Sequence, residues 1–365
     1  MSLLETTVIR KLERRSEAAV ALCADATLFP LAWAVACRLT RLADGAYDVH
    51  LFTEPSLQLA KLPAEYPIGI ELPAFLNLLP ATVRHDRFRS FSSLRLLVLE
   101  ILASRYRRVL YLDCDIRVES SIAALIKLDL GGAPLAAVDD YTLPHLPHDN
   151  PRRNDRIRRR RREIGHSAAE PYFNAGVMLI DADLWRSRET TKAALALLAR
   201  LDAVGANDQE ILNVLFRGRW TALSPRWNFT FFHDLGFEPA LRPLIYHYAG
   251  AKPWELRWDR DSSHLRAIAE LFVDAPLPDF LRRNPTLADY RRALIKTAKW
   301  GIRHRCRFPR LAEIARRMRD ARAPRMRETF ASYLTANIQA RRFLDVRAGI
   351  TALDESEVRQ ALRAV

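Results

Sequence analysis

The stretch Val109-Leu110-Tyr111-Leu112-Asp113-Cys114-Asp115 constrains this chain most: an unbroken apolar run passes directly into two carboxylates separated by one residue. Apolar, β-branched and aromatic residues without polar alternation predict a strand buried on both faces, of the kind found inside a parallel sheet. The acids then fall at its carboxyl end, where open α/β sheets place their ligands. Two carboxylates this close repel each other unless a cation lies between them, and oxygen ligands suit Mg²⁺ or Mn²⁺. A solvated Asp-Cys-Asp turn would satisfy the motif in isolation, so its meaning depends on the rest of the chain.

Strands on either side repeat the pattern. Ala18 to Ala24 is an apolar run ending at Asp25, Pro30 suits the first turn of a helix reaching about Arg41, and Tyr47 to Thr53 reads as a second strand. No GxGxxG follows the first strand, so the dinucleotide fingerprint is absent. The proline-rich stretch 63–80 reads as a loop with one strand. A helix from Ser92 to Leu102 sets Leu94, Leu97, Val98 and Ile101 on one face and Arg95 on another. Pro134 to Val138 is a further apolar strand, again ending in acids, Asp139 and Asp140.

Downstream, Phe173-Asn174-Ala175-Gly176 leads into the apolar run Val177 to Asp181, and the small Ala175 and Gly176 allow a ligand close to the backbone. A helix is expected from about Leu184 to Leu201. Asn207-Asp208-Gln209-Glu210 precedes another helix as a cap, and its Asp-Gln pair could also point into a cleft. Strands are expected over Trp220 to Asn228 and Leu244 to Tyr248. His247, followed by Gly250 and Lys252, suits a cation and a diphosphate together, because Lys supplies positive charge. The arginine-dense stretch from His145 to His166 reads as a solvated loop or helix face, with a lid over phosphates or an acidic acceptor as the sharper alternative.

Composition narrows the classes. A 365-residue chain with 49% hydrophobic residues can bury a sizeable core. Cys23, Cys37, Cys114 and Cys306 show no paired spacing and read as reduced thiols, which points to the cytoplasm. Met1 to Arg15 lacks the apolar core of a secretory signal, and the apolar stretch Ala18 to Leu39 is interrupted by Asp25, Thr27 and Pro30. The net charge of +14 is concentrated at one end: residues 276–365 hold 21 Arg or Lys against 9 Asp or Glu. The remainder is close to neutral, which argues against a nucleic-acid partner. The expected division is therefore 1–275 as a catalytic domain and 276–365 as a basic α-helical region. In that region Tyr290, Leu294, Ala298 and Ile302, then Leu311, Ile314, Ala315 and Met318, recur at helical spacing, and a last helix begins at Asp354 with Glu357 as its capping-box partner.

Taken together, the segments 111–116 (YLDCDI), 136–139 (AAVD), 172–181 (YFNAGVMLID), 207–213 (NDQEILN), 226–229 (RWNF) and 247–254 (HYAGAKPW) resemble, in order, the family 8 retaining glycosyltransferases. These include bacterial lipopolysaccharide galactosyl- and glucosyltransferases and glycogenin. The resemblance covers about residues 18 to 258. It implies an α/β GT-A fold, a Rossmann-like mixed, mostly parallel sheet flanked by helices. It also implies a metal-dependent, retaining transfer of galactose or glucose from a UDP-sugar to a saccharide acceptor of lipopolysaccharide or another surface glycan.

Carried onto matching positions, the resemblance implies that Asp113, Asp115 and His247 hold Mn²⁺ or Mg²⁺ against the diphosphate. Ala24 and Asp25 would sit at the nucleotide base, the Cys114 backbone at the ribose, Arg95 beside the donor sugar, and Gly250 and Lys252 at the diphosphate. Asp139, Asn174 and Ala175 would line the sugar, with Asp208 and Gln209 flanking the reacting carbon in positioning and charge-stabilising roles. The chain departs from the family at Ala26-Thr27-Leu28-Phe29, where relatives carry Asn and a Tyr that stacks on uracil; Phe29 is the candidate substitute.

Two alternatives stand beside this reading. One is a non-catalytic nucleotide- or membrane-binding member of the fold, the other a phosphotransferase with a strand-end Asp nucleophile, against which Arg117 stands where a small hydroxyl or Val is wanted. The basic tail predicts either attachment to an anionic inner-membrane face through 276–365, or a helical cap on the catalytic domain or a homodimer contact.

Overall fold

A computed structural model describes residues 6–26, 28–54, 62–73, 76–140, 151–167, 170–230, 236–249, 272–275 and 311–363. In chain order these form β1 (Thr6–Arg10), β2 (Ala18–Ala24), α1 (Phe29–Leu42), β3 (Asp48–Thr53), β4 (Ile68–Pro73), α2 (Ala81–His85), α3 (Arg87–Ala103), β5 (Arg108–Leu112) and β6 (Ile116–Val118). There follow α4 (Ala123–Ile126), β7 (Leu135–Asp139), α5 (Pro151–Glu163), β8 (Phe173–Asp181), α6 (Ala182–Ser187), α7 (Thr190–Leu201) and α8 (Asp208–Leu215). The last are β9 (Thr221–Leu223), α9 (Glu238–Leu241), β10 (Ile245–His247), α10 (Leu311–Gln339), α11 (Leu344–Arg347) and α12 (Glu355–Arg363).

Eight strands form one sheet in the order β1-β4-β3-β2-β5-β8-β7-β9. Strands β4, β3, β2 and β5 are mutually parallel, and β8 runs antiparallel between β5 and β7. The sequence predicts β5 inside a parallel sheet; the structure corrects this on one side, where β8 is its antiparallel neighbour. Burial on both faces makes an apolar run look the same whichever way its neighbour points. Both faces are indeed covered: Val20, Leu22, Leu110 and Leu112 pack on the α1 side, while Ala19, Ala21, Val109 and Tyr111 pack beneath α3.

Several elements differ from expectation. Helix α3 is not amphipathic, since Leu96 and Leu99 are buried along with Leu94, Leu97 and Val98. The expected single helix to Leu201 is split into α6 and α7 by Glu189, which adopts the left-handed region at φ 48. After β9 the chain turns through Pro225–Trp227 in place of a longer strand. The expected capping box of the last helix is half formed: Asp354 accepts from the Ser356 N–H, while Glu357 pairs with Arg242.

The C-terminal helices pack onto the sheet domain. Phe330, Leu334, Phe343 and Val358 join Phe229 and Phe237 in one apolar cluster, each large side chain contributing roughly 1.5–3 kcal/mol by leaving water. Asp345, fully buried, accepts from the Ser224 N–H at 2.7 Å, the Ser224 hydroxyl at 2.5 Å and Trp227 Nε1 at 3.0 Å. This matches the helical-cap alternative for residues 324–363. The helix expected around Tyr290 to Ile302, the boundary at 276 and Cys306 lie outside the described residues, and so do the side chains of 311–323.

Candidate active site

The site forms where the sheet's directions coincide. Strands β2, β5 and β7 finish at the same edge where antiparallel β8 begins, which brings Asp113, Asp139, Asp140 and Asn174 to Gly176 together. The Asp113 N–H donates to Gly176 O at 2.8 Å and the Asp140 N–H to Tyr172 O at 2.7 Å, extending the ladder past the strand ends.

His247 arrives through a separate two-stranded sheet. Beyond Asp115 the chain continues into β6, which pairs antiparallel with β10, setting His247 opposite Ile116; the Tyr248 N–H donates to Asp115 O at 2.8 Å. His247 Nε2 consequently lies 3.4 Å from Asp115 Oδ1 and 3.7 Å from Asp113 Oδ2. One ligand atom from each of Asp113, Asp115 and His247 falls within 4.8 Å of the others. Gly176 makes the space. A Cβ there would lie 2.3 Å from His247 Cε1 and 2.8 Å from Asp113 Oδ2, so the close approach expected of this residue is to the metal-ligand candidates. Two carboxylates and an imidazole converging on one point suit a divalent cation of the Mn²⁺ or Mg²⁺ type. Burial raises the Asp113 pKa; Arg95 opposes this and Asp115 reinforces it.

Arg95 is the fixed positive charge of the site. It is buried beneath the strand ends, its guanidinium 4.6 Å from the Tyr111 ring centroid. Its Nη2 donates to Asp113 Oδ1 at 3.0 Å, its Nη1 to Ala175 O at 2.5 Å, and its Nε lies 2.6 Å from Asp208 Oδ2 while donating to Ser92 O. Burial works against the charge, but Asp113 and Asp208 more than offset it, and the pKa is raised.

Helix α8 supplies the second carboxylate. Asn207 and Glu210 form a reciprocal capping box, so capping falls to Asn207 while Asp208 and Gln209 are turned inward. Gln209 Oε1 accepts from the Ala175 N–H at 3.0 Å and its Nε2 donates to Asp140 Oδ2 at 3.0 Å. The acid on Gln209 is therefore Asp140. Asp139, expected to line the sugar, is turned to the C-terminal helices, accepting from the Tyr333 hydroxyl at 2.7 Å and pairing with Arg342 at 2.8 Å. A sheet's period of two accounts for this, since adjacent residues point to opposite sides.

Among the other expected residues, Ala24 and Asp25 end β2, and Asp25 Oδ1 accepts from the Leu28 N–H at 2.8 Å. Cys114 turns its thiol inward to Cys23 O at 3.2 Å, and burial pushes its pKa well up. Phe29, the candidate stacking ring, is corrected: it is buried in the core with α1. Gly250 and Lys252 lie outside the described residues. The arginine run is a helix, α5, but not a uniformly solvated face. Arg160 grips Glu210 through two nitrogens at 2.6 and 2.5 Å, and Arg161 is buried over the Tyr172 ring at 4.4 Å.

Sequence reasoning assigned no role to Asn228. It sits inside a quoted motif, and its amide contacts His247 Nδ1 at 2.8 Å and Asn174 Oδ1 at 2.9 Å. The acidic repeat at Asp139-Asp140 was the available signal for Asp140.

A mostly parallel sheet whose strand ends gather an Asp-x-Asp pair, a histidine and an Asp-Gln helix start defines an α/β protein of the GT-A type. Residues 83–257, which build nearly all of this site, match the family described as Glycosyl transferase family 8. Among curated relatives, the glycosyltransferase GlyB of Streptococcus pneumoniae serotype 4 is 29% identical over 163 residues, 41% of this chain and 35% of the relative. The lipopolysaccharide 1,2-glucosyltransferase of Escherichia coli K12 is 30% identical over 200 residues, 50% of this chain and 53% of the relative. The chain thus spans only about a third to a half of those proteins' lengths. The solved structure of galactosyltransferase LgtC with donor and acceptor sugar analogs superposes with a TM-score of 0.55 at 24% identity, covering 72% of this chain and 99% of that one. That likeness shows the fold.

Proposed function

We propose that the chain is a metal-dependent, retaining hexosyltransferase that moves galactose or glucose from a UDP-sugar to a saccharide acceptor of lipopolysaccharide or another surface glycan. The observation that carries this reading is the convergence of Asp113, Asp115 and His247 on one point beside the Arg95–Asp208 contact. The names of the relatives, a lipopolysaccharide glucosyltransferase among them, support the substrate class.

A divalent cation held by Asp113, Asp115 and His247 would stabilise the negative charge that develops on a leaving diphosphate. Gly250 and Lys252 would complete the diphosphate subsite, with Ala24, Asp25 and the Cys114 backbone along the nucleoside. Arg95 holds Asp113 and Asp208 in fixed relation, so the metal-ligand pair and the carboxylate near the reacting carbon move as one unit. Asp208 would stabilise an oxocarbenium-like state electrostatically. Gln209, held at both ends by Ala175 and Asp140, would orient the sugar, with Asn174 beside it. Attack of the acceptor on the face the diphosphate leaves accounts for retention without assigning a covalent intermediate.

The domain division at 275/276 and a contact of the basic tail with anionic lipid at the cytoplasmic membrane face belong to the same proposal. Among the described residues no helix is long and apolar enough to cross a membrane. The test is a mass-spectrometric screen of nucleotide-sugar donors with Mn²⁺ against saccharide acceptors. UDP release coupled to a hexose-mass increment supports the reading, and absence of turnover and donor hydrolysis across the screen overturns it.

A further inference from the structure

We propose that Asn228 is a positioning residue that fixes the tautomer of His247, and that its own orientation is dictated by two backbone N–H groups of β8 through a chain of amides. This inference rests on the metal-site reading above and names how the histidine ligand is prepared.

Hydrogen-bond polarity decides each step. The Gly176 N–H can only donate, and it meets Asn174 at 2.9 Å, so the Asn174 oxygen must face it. Asn228 lies 2.9 Å from that same oxygen, and only an amide NH₂ can donate to it. The remaining end of Asn228, its Oδ1, then faces His247 Nδ1 at 2.8 Å. An amide oxygen only accepts, so Nδ1 carries the proton. In the neutral ring Nε2 is left with its lone pair, and Nε2 is the nitrogen turned to Asp115 and Asp113.

A second anchor reaches the same answer independently. The Ala175 N–H donates to Gln209 Oε1 at 3.0 Å, so Gln209 presents its NH₂ to Asp140 Oδ2 at 3.0 Å. The Asn174 NH₂ approaches that same carboxylate oxygen at 3.5 Å, which again turns the Asn174 oxygen toward Gly176. Every amide from Gln209 to His247 therefore has one assignment consistent with its neighbours, where isolated amides and imidazoles would be ambiguous.

Burial makes the assignment matter. Asn228 is 1% exposed and His247 5% exposed. The opposite tautomer would point Nε2–H at the two carboxylates and make His247 their hydrogen-bond donor. The same ring would then have no lone pair for a cation. Asn228 thus selects between a metal ligand and an ordinary polar contact, as groups behind ligating histidines do. The chain also joins the metal-ligand cluster to Gln209 through hydrogen-bonded groups.

The test is nitrogen NMR of isotope-labelled histidine in the metal-free full chain at mildly alkaline pH, with His247→Gln used to assign the resonance, together with Mn²⁺ titration by calorimetry. Wild type is expected to show His247 as the Nδ1–H tautomer. Asn228→Leu is expected to lose that preference and to weaken Mn²⁺ affinity about 10- to 100-fold; Asn228→Asp, which keeps an acceptor, is expected to restore both. Asn174→Leu, which frees Asn228 to turn over, is expected to give a mixture of tautomers. An Nε2–H tautomer in wild type overturns the proposal without any variant. So does an Asn228→Leu protein that keeps the Nδ1–H tautomer and its Mn²⁺ affinity. Nδ1–H in a wild type that binds no Mn²⁺ supports the relay and overturns the metal reading instead.

Discussion

Tyr333 donates its hydroxyl to Asp139 Oδ2 at 2.7 Å, tying the long helix α10 to the end of β7. Arg342 pairs with the same carboxylate, and the next residue, Asp140, holds Gln209. The C-terminal helices therefore brace the strand end that carries a site residue. Arg342→Gln should lower stability by about 1–3 kcal/mol, because it leaves the buried Asp139 with an incomplete set of partners. Tyr333→Phe should cost about 0.5–1.5 kcal/mol. Urea unfolding would read both, and unchanged midpoints would show that the brace carries no stability.

Asp345 accepts from Ser224 twice and from Trp227 Nε1 while fully buried. Asp345→Ala strands three donors, and a loss of about 3 kcal/mol or more is expected. Asp345→Asn, close in shape but with a donor where an oxygen accepts, should lie between wild type and alanine. Thermal unfolding of the series would check this, and a stable alanine variant would contradict it.

Arg95 sits between Asp113 and Asp208. Arg95→Gln should reduce turnover by about 10²–10³-fold, the scale for losing one preorganised electrostatic group, and should weaken Mn²⁺ and UDP binding less than turnover. Steady-state kinetics alongside calorimetry separates the two. An activity within a few-fold of wild type would remove Arg95 from the chemistry.

The sheet's far edge predicts an acid dependence. Burial works to raise the Glu71 pKa, yet hydrogen bonds from His50, Arg105 and Thr6 outweigh it and hold the carboxyl down at about 2 against an ordinary 4.5. A depressed carboxylate stabilises the fold above its unfolded pKa and loses that contribution as pH falls through the folded one. Glu71→Gln should therefore cost about 3 kcal/mol near neutrality, and its gap to wild type should narrow steadily between about pH 4.5 and 2. Chemical denaturation across that range would show it; a gap independent of pH would contradict it.

Much of this was legible in the sequence, for identifiable reasons. The strand Ala18–Ala24 and the runs before Asp113 and Asp139 are short, unbroken apolar stretches, the length and composition of strands covered on both faces. Asn207 and Glu210 announced a helix start that the structure keeps. Strand β10 falls within the strand expected over Leu244 to Tyr248, whereas β1 is a largely exposed sheet edge and β6 spans only three residues, too few to set up a pattern. The break at Glu189 occurs without Gly or Pro, inside the polar run Arg186 to Lys192, which separates the apolar positions of α6 from those of α7. Whether Asp139 or Asp140 faces Gln209 depends on register and on a C-terminal helix nearly two hundred residues away. Asn228 was invisible because its role is set by hydrogen-bond direction, which spacing does not record.

The basic stretch ahead of α10 in the sequence bears on the membrane question. Residues 276–310 are rich in Arg and Lys, including Arg282, Arg283, Arg291 and Arg292, and each basic residue near an anionic surface is worth about 1 kcal/mol. Replacing these four with Gln should reduce co-sedimentation with anionic vesicles while leaving neutral vesicles unaffected. Equal partitioning of both proteins would remove the membrane role.

The proposed function stands on a metal-dependent nucleotide site built by Asp113, Asp115 and His247. Isothermal titration of the full chain with UDP, in Mn²⁺ and in chelator, tests it most directly. Binding in Mn²⁺ is expected to be lost in chelator and lost again in Asp113→Asn with Asp115→Asn. UDP binding that persists unchanged in chelator or in the double variant would contradict it.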